Sequence, residues 1–428
     1  MRDEIESVFD KLWPINRSLT GHGNRETLKI LDEVTALHFH EEDSGTDCYD
    51  WKIPPEWNVF EAYIEDEKGN RVIDFRNNNL HVVGYSVGVD IVLSFNQLKE
   101  HLYYLDEHPD WIPYKTAYYK RIWGFCLSYN TFKTLDQDVK YHVVIKADHD
   151  PEGSMTYADR LIKGDLEEEI LFSTYICHPS MANNELSGPL VTIFLQRELE
   201  KRLNRRFSYR FFYGPETIGA VNYLHKNEKH LLSHLKGVMV VTTVGDAGEF
   251  TYKLSKKGNS AIDRIVQIIL RQDYPNAIVE KYSPSGSDER QYGSPGFNFE
   301  VSSLMRTRYL KYEEYHTSAD NKSFVSFEAM EETVNVYLKI IEFLENNYVF
   351  KRLIPNCEPH LSKWGLYTDI KSSPERHKEV LAYKWILALS DGVMSFLDIV
   401  EQSEMPYELM IRAANILRAK GLIGDIKT

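Results

Sequence analysis

The sequence has few cysteines, no long apolar run and no excess of positive charge. Its four cysteines, Cys48, Cys126, Cys177 and Cys357, lie far apart and include no C-x-x-C pair, which excludes a disulfide scaffold and a thiolate zinc knuckle. No apolar run approaches the roughly 20 residues that span a bilayer, and the first residues lack the order of a secretion signal. We therefore expect a soluble, cytoplasmic protein without a membrane partner.

Acidic residues outnumber basic ones. Among the 428 residues, 64 are Asp or Glu and 50 are Lys or Arg, which gives a net charge of −14. Such a surface repels a phosphate backbone over most of its area, so only a local basic patch would bind nucleic acid. The hydrophobic fraction of 43% is ample for packed cores, and the length predicts two or three domains.

From residue 169 onward, strands, loops and helices alternate. Apolar strands are predicted over 170–177, 207–213, 237–244 and 299–304, and a long helix over 327–344. Runs that are apolar enough to be buried on both faces are typical of parallel strands. The pattern therefore predicts an α/β fold with a mostly parallel sheet covered by helices.

Two further modules accompany this sheet. Short alternating segments separated by Gly, Asp and Asn predict an inserted β-rich domain over 45–150, so the α/β domain comprises 1–44 and 151–350. Residues 348–366 are predicted to form a linker, and three short helical patterns over 365–428 are typical of a winged-helix-like domain.

The inserted domain contains four of the seven tryptophans: Trp51, Trp57, Trp111 and Trp123. These rings either line a ligand groove or fill a small core and a domain interface, and the pattern alone leaves both open.

The C-terminal module is poorly suited to bind DNA. Residues 366–428 contain 8 basic and 9 acidic residues, and the helix from Pro406 has few cations. Because affinity for DNA depends largely on phosphate neutralisation, nucleic acid is not expected as a partner. We expect the module to pack on the catalytic domain or on a second copy of the chain. The sequence therefore does not decide whether the chain forms a homo-oligomer. The few residues after Leu422 leave little room for a full wing.

Five polar loops follow predicted strands or precede the last helix. In a parallel sheet, ligands bind beyond the carboxyl ends of the strands, so these loops are expected to converge on one site. The loops are 177–188, 214–219, 244–248, 285–292 and 315–321.

The motifs in these loops resemble the zinc-dependent aminopeptidase clan. More closely, the chain resembles an uncharacterised bacterial aminopeptidase-like family that has an inserted β-domain and a C-terminal winged helix. As a set the motifs are specific, and together they cover nearly the whole chain. They are INRSLTG, DWKIPPEW, YYKRIWGFC, CHPSMAN with LSGP, GPETIG, VGDAG, SGSDERQY and YHTSADN.

The resemblance implies a metal-dependent hydrolase acting on a small peptide or amino-bearing substrate. By position, His178 and His316 are implied as metal ligands, Asn184 takes the place of a metal-bridging aspartate, and Glu216 is the general base. Imidazoles and an oxygen donor suit Zn²⁺ with an open position for water. A glutamate nearby would take the proton of that water and return it to the leaving amine.

The departures from the family pattern favour one zinc ion rather than two. Asn184 is a neutral amide where the clan has a bridging aspartate, and Thr217 stands where the clan has a second glutamate ligand. The aspartate expected after the third strand falls on Thr242 or Thr243. Asp246 is then a candidate ligand, although a turn-stabilising role between Gly245 and Gly248 is an equal alternative.

Other residues near the site have both a functional and a structural interpretation. Asp288, Arg290 and Tyr292 are candidate substrate-binding residues, and an internal salt bridge of Asp288 and Arg290 is the alternative. Cys177 is expected in the core. The alternative for His178 and His316 is that they are ordinary hydrogen-bonded loop residues. The alternative for Glu216 is that it only lies near a helix N-terminus, where the helix dipole favours its negative charge.

Two non-hydrolytic functions stay open. One is a binding protein for a small amino- or sugar-bearing ligand on the same fold, because Asn184 and Thr217 remove charge from the site. The other is a ligand-sensing regulator that uses the C-terminal module.

Overall fold

A computed structural model describes residues 1–367 and 373–426. The chain forms two compact units. The first comprises Met1–Lys256 and Glu280–Asn335, and the second Lys257–Val279 and Val336–Thr428. The domain boundaries expected from the sequence stay predictions.

The described residues form helices of 5 to 20 residues. In chain order they are α1 (Arg2–Leu12), α2 (His22–Asp32), α3 (Phe95–Lys99), α4 (Tyr129–Thr134), α5 (Ser187–Glu200), α6 (Ile218–His234), α7 (Ala261–Asp273), α8 (Asp288–Tyr292), α9 (Phe327–Asn346), α10 (Pro374–Leu389), α11 (Phe396–Ser403) and α12 (Tyr407–Ala419).

The strands vary from short pairs to segments of 11 residues. In chain order they are β1 (His38–Asp43), β2 (Asp47–Cys48), β3 (Trp51–Lys52), β4 (Glu56–Asp66), β5 (Arg71–Asp74), β6 (Val89–Ser94), β7 (Leu102–Tyr103), β8 (Phe125–Cys126), β9 (Lys140–Asp150), β10 (Ser154–Ile162), β11 (Glu169–Tyr175), β12 (Ser208–Gly214), β13 (Leu235–Val240), β14 (Thr251–Lys253), β15 (Ile278–Glu280), β16 (Val301–Met305), β17 (Val349–Arg352), β18 (Asp391–Ser395) and β19 (Ile423–Ile426).

The first unit contains the large mixed sheet, with strands in the order β1, β10, β12, β11, β13, β16 and β14. Its central strands β12, β11, β13 and β16 are parallel, whereas β1, β10 and β14 pair antiparallel at the flanks. Every residue of β11 and β12 is buried, as expected for strands with helices on both faces. The predicted α/β fold is confirmed, and its antiparallel flanks add strands that the sequence pattern did not distinguish.

The β-rich segment forms an antiparallel sheet in the order β5, β4, β9, β6. Trp57 is buried in its core and stacks on Tyr85 with ring centroids 5.5 Å apart. Trp51, in contrast, is 40% exposed. The core interpretation therefore applies to Trp57, whereas Trp51 is on the surface.

The second unit contains a three-stranded sheet in the order β18, β17, β19. Strand β17 lies within the predicted linker, so that prediction is wrong over Val349–Arg352. It pairs with β18 and with β19, the strand that follows Leu422. The three strands form a wing, whereas the sequence was expected to leave little room for one. Residues 368–372 and 427–428 of the predicted module lie outside the described residues.

None of the described helices combines the length and the apolar character that crossing a membrane requires.

An ion pair joins α2 to the start of β4 in the first unit. Both terminal nitrogens of Arg25 lie 2.7 Å from the carboxylate of Glu56, which is 7% exposed. The hydrogen bonds from Arg25 lower the pKa of Glu56 to about 2. Because the pKa is lowered on folding, the stabilisation is present above the unfolded pKa and is lost as the pH falls toward 2.

We predict that Glu56→Gln removes part of the acid dependence of stability. Between about pH 4.5 and pH 2 the wild type loses on the order of 3 kcal/mol through this carboxylate, a loss the variant lacks. Urea unfolding at a series of pH values measures it. Glu26→Gln, at an exposed position on the same helix as Arg25, is the control; an equal effect of both substitutions contradicts the prediction.

Candidate active site

His178 lies just beyond β11 and is almost completely buried, with 1% exposure. Its Nδ1 is 2.7 Å from Oε2 of Glu185, which is equally buried. Burial alone lowers the pKa of His178, but the charge of Glu185 and this hydrogen bond outweigh it and raise the pKa. Glu185 therefore fixes the orientation of the ring and leaves Nε2 for other contacts.

Asp320, in the YHTSADN segment, holds the loop that carries Asn184 and Glu185. Its carboxylate accepts hydrogen bonds from the backbone N–H groups of Ala182, Asn183 and Asn184 at 3.2, 2.6 and 2.9 Å. These donors belong to the π-helical turn Ala182–Leu186 that precedes α5. Burial raises the pKa of Asp320 to about 6, against the opposing effect of the three donors.

His316 belongs to the same segment and lies close to His178. Its ring centroid lies 5.5 Å from that of His178, and its backbone has a φ of 58°, which an L residue adopts at a cost. Within the described residues, its buried Nε2 has no hydrogen-bond partner. Burial, followed by the charge of His178, lowers the pKa of His316 to about 3, so the ring is a neutral imidazole.

Glu216 follows β12 and lies beside His178, with its Oε2 3.4 Å from Nε2 of the imidazole. Its side chain is 24% exposed, so it connects the buried histidine with open space. The next residue, Thr217, has a φ of 63°, and its N–H donates to Oδ1 of Asp288 at 2.7 Å. The turn that presents Glu216 is thus strained and is tied to a buried carboxyl group.

Asn184 belongs to a neutral network. Its Oδ1 accepts a hydrogen bond from the hydroxyl of Tyr175 at 3.2 Å, and this hydroxyl lies 2.5 Å from Oγ1 of Thr242. Burial raises the pKa of Tyr175 well above its ordinary value, so the phenol stays protonated. No member of this network carries a charge that would hold a second cation.

Both carboxylate oxygens of Asp246 accept hydrogen bonds from neighbouring loops and from its own turn. Oδ1 accepts from the Gly248 N–H and the Thr307 hydroxyl, each at 2.7 Å, and Oδ2 accepts from Asn183 and from the Thr307 N–H. This is the arrangement expected from the turn-stabilising alternative.

The three candidate substrate-binding residues occupy different environments. Tyr292 is fully buried, with its hydroxyl 3.0 Å from Oγ of Ser173, and Asp288 is fully buried behind Thr217. Neither offers a surface to a substrate. Arg290 is exposed and lines a cavity beside Glu216.

A cavity of about 520 Å³ opens beside Glu216. Aromatic rings dominate its wall, and the charged groups Glu216, Glu289 and Arg290 are interspersed among them. Glu289 is offset by Lys253, whose Nζ lies 3.6 Å from Oε1. The aromatic residues that line the cavity are Trp51, Tyr118, Tyr119, Tyr175, Tyr309 and Tyr315.

Two sets of donor atoms around His178 could hold a metal ion. Nδ1 of His178, Sγ of Cys177 and a Glu185 oxygen all lie within 4.8 Å of one another, but Nδ1 is hydrogen-bonded to Glu185 and none of these three residues lines the cavity. At the other ring nitrogen, Nε2 lies 3.4 Å from Oε2 of Glu216. Two imidazoles that share one tetrahedral zinc have centroids about 5 Å apart, so the observed 5.5 Å and the unpartnered Nε2 of His316 fit a single ion there.

Comparison with protein-family models matches residues 6–347 to a domain of unknown function, DUF4910, and residues 348–425 to a winged helix-turn-helix. The chain belongs to the DUF4910 family. A curated relative from Clostridium acetobutylicum is 43% identical over 97% of this chain and 94% of its own length. It is described as a "putative polysaccharide biosynthesis protein with aminopeptidase-like domain". The family resemblance predicted from the motifs is confirmed.

Solved structures show the same relationship. A "putative peptidase" from Clostridium acetobutylicum superposes with a TM-score of 0.93 at 41% identity, covering 99% of this chain and 96% of the other. A zinc aminopeptidase from Bacillus subtilis has a TM-score of 0.57 at 11% identity over 79% of this chain and 93% of the other. A peptidase M28 precursor from Shewanella amazonensis gives 0.55 at 12% identity over 79% and 91%. The last two show an aminopeptidase-like fold and no more.

The sequence predicted that the loops carrying the two histidines, Glu216 and Asn184 converge, and His178, His316 and Glu216 do lie together. It did not predict roles for Glu185 and Asp320, although they lie in two of these loops, 177–188 and 315–321. An acidic residue in a loop that is otherwise apolar or neutral was the available signal, because a buried carboxylate requires partners.

We predict that Asp320→Ala destabilises the first unit. Removing the acceptor of three backbone N–H groups costs on the order of 3 kcal/mol, because buried donors are left unpaired. The midpoint of urea unfolding, followed by tryptophan fluorescence, measures the loss. Asp10→Ala removes a 53% exposed carboxylate and should shift the midpoint little; an equal shift in both variants contradicts the role of Asp320.

Proposed function

We propose that this chain is a zinc-dependent amide hydrolase of the aminopeptidase type that acts on a small peptide or another amino-bearing substrate. The observation that carries the proposal is the meeting of two buried imidazoles and one carboxylate at the edge of an aromatic cavity. The aminopeptidase-like fold and the names of the relatives support it.

The proposed metal donors are Nε2 of His178, Nε2 of His316 and the amide oxygen of Asn184. Zinc held by two imidazoles and a neutral oxygen supplies a Lewis acid and lowers the pKa of its water toward about 7. Without a bridging carboxylate, the set suits one ion. Asp246 is left out of the proposed set because its two oxygens already accept hydrogen bonds from Gly248, Thr307 and Asn183.

Glu216 is proposed as the general base. Its position beside His178 Nε2 allows its carboxylate to accept a proton from water on the cavity side and to return it to the leaving amine. The N–H of Glu216 donates to Sγ of Cys177 at 3.2 Å, and Asp288 holds the next peptide group. These two contacts fix the backbone on both sides of the base.

The cavity wall restricts the substrate class. Its rings offer apolar and stacking surfaces, and the guanidinium of Arg290 makes no ion pair or hydrogen bond to other described residues. We assign Arg290 to bind a carboxylate on the substrate, as a short peptide would provide, because a guanidinium pairs well with that group.

We predict that the purified chain contains about one zinc ion per molecule, and that His316→Ala loses most of it because one of two nitrogen donors is removed. Elemental analysis of protein purified without chelator measures the metal content. His81→Ala, a partly buried histidine bonded to the carbonyl of Cys126, is the matched control. Metal-free wild-type protein that also fails to take up added zinc would contradict the proposal.

We predict that Glu216→Gln retains zinc but hydrolyses short peptides about 10²- to 10⁴-fold more slowly, because the amide cannot accept the proton. Release of free amine from a panel of dipeptides measures the rate, and Glu228→Gln at an exposed site is the control.

A binding protein without catalysis is the second candidate, and the neutral residues Asn184 and Thr217 are the observation that favours it. Zinc-loaded wild-type protein that binds dipeptides but releases no amine would support this function over hydrolysis. Cytoplasmic location and homo-oligomer formation stay predictions, and binding of nucleic acid is not proposed.

A further inference from the structure

Arg17 lies in the INRSLTG segment, to which the family resemblance assigns no role. The side chain is 1% exposed, an unusual state for arginine. Its Nε donates to the backbone carbonyl of His178 at 3.0 Å, and one terminal nitrogen donates to the carbonyl of Leu12 at 2.7 Å. Arg17 therefore connects the end of α1 with the strand end that carries the histidine.

The charge of Arg17 has a counterpart in the same buried region. Glu185 is fully buried, and its Oε2 is bonded to His178. Its other oxygen and the second terminal nitrogen of Arg17 make no hydrogen bond within residues 1–367 and 373–426. Burial raises the pKa of Glu185 and lowers the pKa of Arg17 to about 10, and the attraction between the two groups opposes both shifts. A carboxylate this deep is costly unless a positive charge offsets it.

We propose that Arg17 is a positioning residue for His178, which it acts on through the backbone carbonyl of the histidine. The guanidinium holds this carbonyl, while Glu185 lies opposite Nδ1 of the ring. The ring is then fixed with Nε2 directed at Glu216 and the cavity. This inference rests on the proposed function, because the orientation matters most where Nε2 binds a metal.

Hydrogen bonds therefore connect the N-terminal segment, through Arg17, with the backbone of His178, whose Nε2 is a proposed metal donor. Partners of this kind orient a ligating histidine and set its basicity, and their loss typically lowers metal affinity about 10- to 100-fold. Arg17 touches neither the cavity nor the proposed metal position, so its effect is indirect.

The experiment compares Arg17→Gln and Arg17→Lys with the wild type. Zinc affinity is measured by competition with a chromophoric chelator, and the coordination geometry by the visible absorption of the cobalt-substituted protein. We expect Arg17→Gln to weaken zinc binding about 10- to 100-fold and to alter the cobalt spectrum. Arg17→Lys, which keeps the charge and a donor, should recover much of both.

Arg210→Gln is the matched control. Arg210 is also buried and paired with a buried glutamate, Glu169, but it lies toward the amino ends of the central strands. It should lose stability without changing zinc affinity. Equal weakening of zinc binding by both variants, or none by Arg17→Gln, would overturn the inference.

A second measurement covers the case in which Arg17→Gln does not fold. Nitrogen NMR of the histidine rings in wild-type protein and in Glu185→Gln shows which nitrogen of His178 carries the hydrogen-bonded proton. We expect the proton on Nδ1 of His178 in the wild type. In Glu185→Gln we expect the chemical shift of this nitrogen to show a weaker hydrogen bond. A proton on Nε2 alone at high pH would overturn the inference. A wild type that shows Nδ1–H but binds no zinc would instead contradict only the proposed function.

Discussion

His178 and Glu185 are both almost completely buried, so the free-energy cost of desolvating them has to be offset by contacts inside the protein. The hydrogen bond between them offsets part of it. Arg17 adds a positive charge nearby, and Asp320 fixes the backbone of the turn that carries Glu185. The orientation of one imidazole thus depends on residues from the N-terminal segment, the loop after β11 and the segment before α9.

Strained backbone is concentrated in the same loops. Ser180, Thr217, Thr243 and His316 all have positive φ values between 47° and 63°, although none is a glycine. Such conformations cost free energy and persist only where surrounding contacts determine them. The Asp288 carboxyl at Thr217 and the backbone contact between Tyr114 and His316 supply these contacts. Thr217 lines the cavity, and Thr243 and His316 directly follow the lining residues Thr242 and Tyr315, as is expected of a site that is organised before its ligand arrives.

Much of the architecture follows from local sequence. Alternating apolar strands and amphipathic helices predicted the central parallel strands, and the rule that ligands bind at their carboxyl ends predicted which loops would meet. Strand β17 was missed because its four residues precede a proline-containing stretch that has the composition of a linker. Arg17, Glu185 and Asp320 were missed for a different reason. Their roles depend on burial and on partners at distant positions, as the 161 residues between Arg17 and His178 illustrate.

The neutral network of Tyr175, Asn184 and Thr242 is the reason that we propose one metal ion rather than two. Two cations a few ångströms apart repel each other strongly, and a bridging carboxylate reduces that repulsion. An amide supplies an oxygen but no negative charge, and a phenol whose pKa is raised by burial supplies none either. Charge near the proposed ion comes instead from Glu216, which is partly exposed and adjoins the cavity. The balance of charge therefore suits the proposed single ion, beside which the carboxylate of Glu216 would move a proton.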